Sequence, residues 1–272
     1  MTQKIETYIV DSFTDKPFSG NPAGVCVLHE PLKNEQMQSI AKELGFSETA
    51  FIHPIEAAQQ YAIRYFTPKM EIPLCGHATL ASAKVLFESF PNLELIYFKT
   101  IVGVDLRIKS NGKTIEMEFP VYDTVPQQVP EAMLKALGIE KIVTSAFNKE
   151  MNMLLIEIES SEVLKKLSPD FEKLKHSPTS ISGVVVTSLS QQTEYDFESR
   201  YFWPWSGTNE DPVTGATHTF LSKYWSTRLH KNILKSFQCS ERTGFMDVEL
   251  ISGTTCILKS QAQLVLKGEL SI

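Results

Sequence analysis

The sequence predicts a mixed α/β protein of two pseudo-symmetric halves, each a curved mixed sheet around a central helix, and three observations carry that prediction. Arg64-Tyr65-Phe66-Thr67-Pro68 in the first half returns as Arg200-Tyr201-Phe202-Trp203-Pro204 in the second, about half the chain later. Each copy leads to small residues of the kind that open a helix, Gly76-His77-Ala78-Thr79 and Gly215-Ala216-Thr217-His218, with three more residues intervening in the second copy. Short apolar runs broken by Gly, Asn and Pro outnumber helical stretches in both halves. Repetition that keeps its order implies two units of one design, with a site between them.

The elements follow from local pattern. Alternation over Ile5 to Val10 gives a first strand, the turn-rich stretch Thr14 to Gly24 a loop, and the apolar run Val25 to Leu28 a second strand. Asn34 to Leu44 fits a helix with Met37, Ile40, Ala41 and Leu44 on one face and Gly45 as its stop. A strand begins at about Thr49, another runs Tyr61 to Phe66, and Gly76 opens a helix to about Phe87. Leu95 to Thr100, Gly103 to Ser110 and Thr114 to Phe119 are short strands. The prolines at 120, 126 and 130 mark a linker, so that the domains are expected over 1–119 and 120–272, with the last strand able to return to the first.

In the second half, Glu131 to Leu137 and Ser161 to Leu167 read as helical segments, and Asn152 to Ile158, Gly183 to Thr187 and Tyr195 to Phe202 as strands. A helix is expected from about Thr214 to Trp225. Strands at Phe245 to Ile251, Thr254 to Leu258 and Gln263 to Lys267 close the chain.

Composition excludes several classes. With 42% hydrophobic and 21% charged residues in 272, the chain has the make-up of a soluble globular protein. It contains no apolar run of about 18 residues, so a membrane partner is not expected. The start Met1-Thr-Gln-Lys-Ile-Glu lacks a secretory pattern, and a cytoplasmic location is expected. A formal net charge of −6 without a basic tract argues against nucleic acid, while leaving room for a small anion bound locally. Cys26, Cys75, Cys239 and Cys256 form no C-x-x-C pair, and neither H-E-x-x-H, Walker A nor G-x-G-x-x-G is present. No metal or organic cofactor is expected.

The chemistry is expected at the two helix entrances and one carboxylate. Unpaired amides and glycines at a helix start cradle a carboxylate or phosphate, so the stretch from Gly207 to His218, with Thr214, Gly215 and Ala216, is a candidate anion site. Asp211 ahead of Pro212 serves either as a cap or Asx turn, or as a binding or catalytic group. His77 in the first turn of its helix is disposed to stay neutral, either as a packing residue or as a hydrogen-bonding partner of a substrate oxygen. Glu48 lies where a helix has ended and a strand begins. It either faces solvent or points into an apolar cleft, where it becomes a general acid/base. Ser19-Gly20-Asn21 belongs to a small-residue loop able to approach a ligand or simply to turn the chain.

Together these segments resemble the phenazine biosynthesis PhzF-like family, which shares the diaminopimelate epimerase type of fold. The resemblance rests on Asp11-Ser-Phe-Thr-Asp-Lys-Pro-Phe-Ser-Gly-Asn-Pro-Ala-Gly24, Ser47-Glu-Thr-Ala-Phe51, Arg64-Tyr-Phe-Thr-Pro68 with Glu71-Ile-Pro-Leu-Cys-Gly-His-Ala-Thr79, Glu210-Asp-Pro-Val-Thr-Gly-Ala-Thr-His218, and Gln238-Cys-Ser-Glu-Arg-Thr-Gly244. It implies two pseudo-symmetric domains, a cleft between them and a homodimer. It further implies a cofactor-independent isomerase in which Glu48 takes and returns a proton. His77 and Asp211 would hold the substrate's polar groups, Gly76 and the Gly215 entrance supply backbone donors, and Ser19-Gly20-Asn21 helps to close the site. The expected substrate is a small carboxylated metabolite, cyclic or not. An amino-acid epimerase or racemase, suggested by Cys75, and a non-catalytic binding protein are the alternatives.

Overall fold

A computed structural model describes residues 3–55, 59–177, 180–205 and 208–272. Gly207 lies outside them. The chain divides into two compact units, Met1–Glu118 with Leu258–Ile272, and Phe119–Ile257. Among the described residues no helix is long and apolar enough to cross a membrane.

The first unit contains β1 (Lys4–Ser12), β2 (Asn21–Val27), α1 (Asn34–Leu44), β3 (Thr49–Pro54), β4 (Gln60–Phe66), β5 (Glu71–Ile72), α2 (Gly76–Ser89), β6 (Leu95–Thr100), β7 (Asp105–Asn111) and most of β8 (Thr114–Pro120). Helix α1 forms as its pattern predicts. Met37, Ile40 and Ala41 are buried on one face, the Gln36 side chain accepts the Lys33 amide at the start, and Gly45, at φ 70°, ends the helix by donating to the Ala41 carbonyl. The Gln36 and Gly45 contacts satisfy backbone groups that the helix itself leaves without partners.

The second unit contains β9 (Val125–Pro126), α3 (Glu131–Leu137), β10 (Thr144–Asn148), β11 (Met153–Glu157), α4 (Ser161–Lys166), α5 (Phe171–Lys175), β12 (Gly183–Leu189), β13 (Phe197–Phe202), β14 (Glu210–Asp211), α6 (His218–Leu229), β15 (Ile233–Gln238), β16 (Gly244–Leu250) and the start of β17 (Thr255–Ser260). The chain then returns to the first unit as β18 (Ala262–Ser271).

One plan of pairing serves both units. In the first, β1 and β2 are antiparallel, β2 and β3 parallel across α1, β3 and β4 antiparallel, and β4 and β6 parallel across α2. In the second, β10 and β11 are antiparallel, β11 and β12 parallel across α4 and α5, β12 and β13 antiparallel, and β13 and β15 parallel across α6. Strand β18 lies antiparallel against β1. Helix α2 packs on β1, β2, β3 and β18 and is buried on nearly all sides, as a helix enclosed by a sheet must be. In the second unit, Trp225 of α6 is fully buried, stacks on Phe197 and donates its indole N–H to the Thr187 hydroxyl at 3.1 Å.

The repeated motif is a clamp. Arg64 donates through Nε and Nη2 to both Glu71 carboxylate oxygens at 2.7 and 2.6 Å, and Arg200 treats Glu210 the same way at 2.8 and 2.7 Å. Each guanidinium also lies over the phenylalanine of its own motif, Phe66 at 5.2 Å and Phe202 at 5.0 Å. The fork of an arginine matches a carboxylate bidentately, which fixes direction as well as distance. Each clamp therefore holds a two-residue strand, β5 on β4 and β14 on β13, in equivalent register.

One expected boundary is wrong. The second entrance does not open a helix at Thr214 or Gly215: α6 begins at His218. Gly215, Ala216 and Thr217 instead form a tight turn, in which the amides of His218, Thr219 and Phe220 donate to carbonyls three residues back. The segments β10, α5 and β15 carry weak or short patterns and had no counterpart in the sequence prediction. The proposed linker over residues 120–130 contains β9, paired with β10.

The clamps differ in burial, and that difference sets their expected contributions. Arg200 and Glu210 side chains are 10% and 19% exposed, and Arg200 also donates to the Leu164 and Leu167 carbonyls, whereas Arg64 and Glu71 are 23% and 24% exposed. Removing one partner of a buried pair costs more than removing one near solvent. Glu210→Ala is expected to destabilise by about 3 kcal/mol and Glu71→Ala by about 1 kcal/mol. Urea midpoints read by far-ultraviolet circular dichroism check this, and equal or reversed losses would refute it.

His218, fully enclosed, faces the Thr214 carbonyl through Nδ1 at 3.1 Å and the Ser236 hydroxyl through Nε2 at 2.9 Å. Burial lowers its pKa from 6.5 to about 4, outweighing backbone carbonyls of Thr214 and Gly215 that act to raise it. A folded-state pKa below the unfolded value means that the stabilisation is complete above pH 6.5 and drains away as the pH falls towards 4. The loss over that window is about 3 kcal/mol. All three tryptophans, Trp203, Trp205 and Trp225, lie in the second unit, so their fluorescence follows its urea unfolding at a series of pH values. A flatter pH dependence in His218→Gln is the expected outcome; the same slope as the parent would contradict it.

Candidate active site

The first unit gathers three reactive side chains. Glu48 precedes β3, and its carbonyl accepts the Gly24 amide of β2 at 3.3 Å, which anchors the residue at the edge of a parallel pair. Its side chain is 8% exposed, so the carboxylate does not face solvent. Glu48 Oε2 lies 3.3 Å from Nε2 of His77, the second residue of α2. Cys75, immediately before α2, places Sγ 3.4 Å from His77 Nδ1. The Ser47 hydroxyl stands 3.5 Å from His77 Nε2.

Burial of the His77 imidazole lowers its pKa below the usual 6.5, opposed by the Glu48 charge. A neutral ring has one N–H and one lone pair; Nε2 faces the Glu48 carboxylate at 3.3 Å and Nδ1 the Cys75 thiol at 3.4 Å. The first amides of α2 have no acceptor within the helix and carry the positive end of its dipole. A carboxylate with a tuned hydrogen-bond donor and helix-start amides is an arrangement able to remove a proton from carbon and to hold the charge that develops.

The loop between β1 and β2 is fastened to this centre at its base. Ser12 pairs with Asn21, and the Ser12 hydroxyl donates to the His77 carbonyl at 2.7 Å. Gly20 has φ +68°, and a Cβ there would lie 2.0 Å from the Ser12 carbonyl oxygen, so glycine is required. Phe13 and Phe18 also have positive φ, 64° and 66°, and the Phe18 amide donates to Asp11 Oδ2 at 2.6 Å. Asn21 is buried, Ser19 half-buried and Phe18 exposed. Gly76 is the first residue of α2.

The second unit builds a different kind of turn. Asp211, the last residue of β14, is nearly buried and accepts the Thr214 hydroxyl at Oδ2, 2.5 Å away. Gln238, at the end of β15, binds the turn at both ends: its Oε1 accepts the Thr214 amide at 2.8 Å and its Nε2 donates to the Asp211 carbonyl at 2.7 Å. Thr214 thus commits its hydroxyl proton to Asp211 and does not cap α6; the cap position belongs to Thr217. Gly215 and Ala216 sit in the turn ahead of the helix, their carbonyls accepting from His218 and Thr219.

The structure brings Glu48 and His77 together with Cys75, ties the loop that carries Ser19 and Gly20 to His77 through Ser12, starts β2 at Asn21 where the sequence predicts loop, and joins Asp211 to Thr214. Sequence reasoning did not single out Ser12, Ser47 or Gln238 as parts of a site. The Gln238 stretch was visible only as a segment of family likeness, because a glutamine on a strand carries no local signal of its partner.

The family model described as PhzC-PhzF, phenazine biosynthesis-like protein, matches residues 10–268. The chain is 42% identical to an uncharacterized isomerase of Halalkalibacterium halodurans, with 97% of each chain covered. It is 38% identical to a phenazine biosynthesis-like domain-containing protein of Rattus norvegicus, covering 98% of this chain and 99% of the relative. Among solved structures, a PhzF-family phenazine biosynthesis protein of Enterococcus faecalis superposes with a TM-score of 0.90 at 37% identity, over 98% of this chain and 99% of the other. With likeness in sequence and in fold running nearly end to end, the chain belongs to the PhzC-PhzF family of phenazine biosynthesis-like proteins.

Proposed function

We propose that this protein is a cofactor-independent isomerase that moves a proton on a small carboxylated metabolite, with Glu48 as the acid/base. The observation that carries the reading is the inward Glu48 carboxylate, 3.3 Å from a buried His77 at the mouth of α2. The name of one relative supports the class: the Halalkalibacterium protein is called an isomerase. In the forward step the Glu48 carboxylate takes a proton from a carbon made acidic by a neighbouring unsaturated or carboxyl group. The resulting negative charge moves onto the substrate's polar end. His77 Nε2–H and the first amides of α2 stabilise it, which favours the transition state over the ground state.

Glu48 then returns the proton to a second carbon on the same face, completing a shift of hydrogen with no net redox change. Asp211 is assigned the holding of a polar substrate group, and the Ser19-Gly20-Asn21 loop the exclusion of water. A second reading, epimerisation of an amino acid, draws on one contact, the Cys75 thiol against His77 Nδ1. There the thiol would serve as a further acid/base and the product would be the mirror centre.

Proton exchange separates the readings. Cyclic unsaturated carboxylic acids and amino acids are incubated with the protein in deuterated water and followed by proton NMR. Deuterium incorporation is expected to fall by about 10²–10⁴-fold in Glu48→Gln, at unchanged circular dichroism. Equal incorporation by parent and variant would remove Glu48 from the mechanism.

In the same assay Cys75→Ala is expected to lower exchange by no more than about tenfold, the scale of a disturbed hydrogen bond of about 1 kcal/mol. Inversion of an amino acid centre that disappears in Cys75→Ala would instead establish the epimerase reading. For Asp211→Asn, the expected change is a raised KM with kcat less affected.

A further inference from the structure

The three groups that make the candidate active site are also a set of metal ligands, and we propose that they form an inhibitory site for a borderline-soft divalent cation of the zinc class. Glu48, Cys75 and His77 each offer one donor atom, and these three atoms lie within 4.8 Å of one another, all on buried residues. Oxygen, nitrogen and sulfur donors suit zinc, whereas calcium and magnesium select oxygen alone. In tetrahedral zinc with bonds of about 2.0 Å to nitrogen and oxygen and about 2.3 Å to sulfur, the ligand edges are about 3.3 Å for N–O and about 3.5 Å for N–S. His77 Nε2 to Glu48 Oε2 is already 3.3 Å, and His77 Nε2 to Cys75 Sγ is 4.0 Å. The third edge, from Cys75 Sγ to the Glu48 oxygen, is within 4.8 Å and has to shorten to about 3.5 Å, which asks the thiol to move towards the carboxylate.

Ligation is a simple exchange. The hydrated cation exchanges all but one of its waters for the Glu48 oxygen, His77 Nε2 and Cys75 sulfur, keeping that water in the fourth position. The thiol proton leaves to solvent, and the imidazole proton moves from Nε2 to Nδ1. No electron is transferred. The cation is an inhibitor here and not a resident cofactor. Its binding rests on the ligand geometry alone, while its effect on turnover rests on the reading of Glu48 as acid/base: a coordinated carboxylate oxygen cannot take a proton. Sequence spacing conceals the set, because Cys75 and His77 are two residues apart and the packing of α2 on β2 and β3 brings Glu48 to them.

The test uses the intact chain, stripped with EDTA, freed of the chelator and kept reduced. Titration with Co2+ is expected to give a near-ultraviolet thiolate-to-cobalt charge-transfer band together with visible bands of four-coordinate cobalt, both bleached by Zn2+. The band is expected to vanish in Cys75→Ser, and cobalt affinity to fall by about tenfold or more in Glu48→Gln and in His77→Gln. Absence of a thiolate band in the parent protein, or a band that survives Cys75→Ser at unchanged affinity, would overturn the site. Should Cys75→Ser fail to fold, undiminished cobalt affinity in both Glu48→Gln and His77→Gln overturns it equally. Zn2+ should also suppress deuterium exchange, with EDTA restoring it. A cobalt site that shows all three ligand dependences while Zn2+ leaves exchange untouched would keep the metal site and reject Glu48 as the acid/base.

Discussion

The structure depends most on a bidentate arginine–carboxylate pair, made twice. A two-residue strand has too few hydrogen bonds to hold a position on a sheet, yet β5 and β14 each lead directly into a segment that bears candidate site residues. Arg64 and Arg200, each anchored in a long strand and laid over the phenylalanine two residues on, grip Glu71 and Glu210 from both oxygens. A single hydrogen bond would allow the short strand to pivot; the fork does not. From each clamped glutamate the chain has the same distance to run, through a proline at the second position and a glycine at the fifth, Pro73 and Gly76 in one unit and Pro212 and Gly215 in the other. The two tethers are equal in length.

What the turns carry has diverged. The positions of Cys75 and His77 in the first unit correspond to Thr214 and Ala216 in the second. One copy therefore presents a thiol and an imidazole to a buried carboxylate, and the other presents a hydroxyl whose proton is already committed to Asp211. The same split extends to the helices, since α2 starts at Gly76 itself, while the Gly215 turn tightens before α6 begins at His218.

Much of this was legible from residues in order. The period of Met37, Ile40 and Ala41 and the stop at Gly45 define α1, and the Arg-Tyr-Phe-x-Pro repeat marks both strands of the clamps. The carboxylate partners were not legible, because their pairing with the arginines needs the strand to double back. The direction of Glu48 was open for a similar reason: one residue ahead of a strand, the side chain's face is set by register with β2, which is a tertiary fact. The start of α6 was misplaced because Gly215-Ala216-Thr217 has the composition of a helix start. Its decisive contacts are distant, chiefly the grip of Gln238 on Thr214 and Asp211.

The return of the last strand bears on how the molecule is made. The second unit is one continuous stretch, Phe119–Ile257, whereas the first needs Leu258–Ile272 to place β18 beside β1 and against α2. On a ribosome the later-encoded unit has all its strands before the earlier one does. Until the final residues emerge, β1 shows an open edge on one side and α2, which carries His77, lacks one of the strands that enclose it. A chain without β18 thus keeps Glu48, Cys75 and His77 and leaves the helix that carries His77 without one of the strands packed on it.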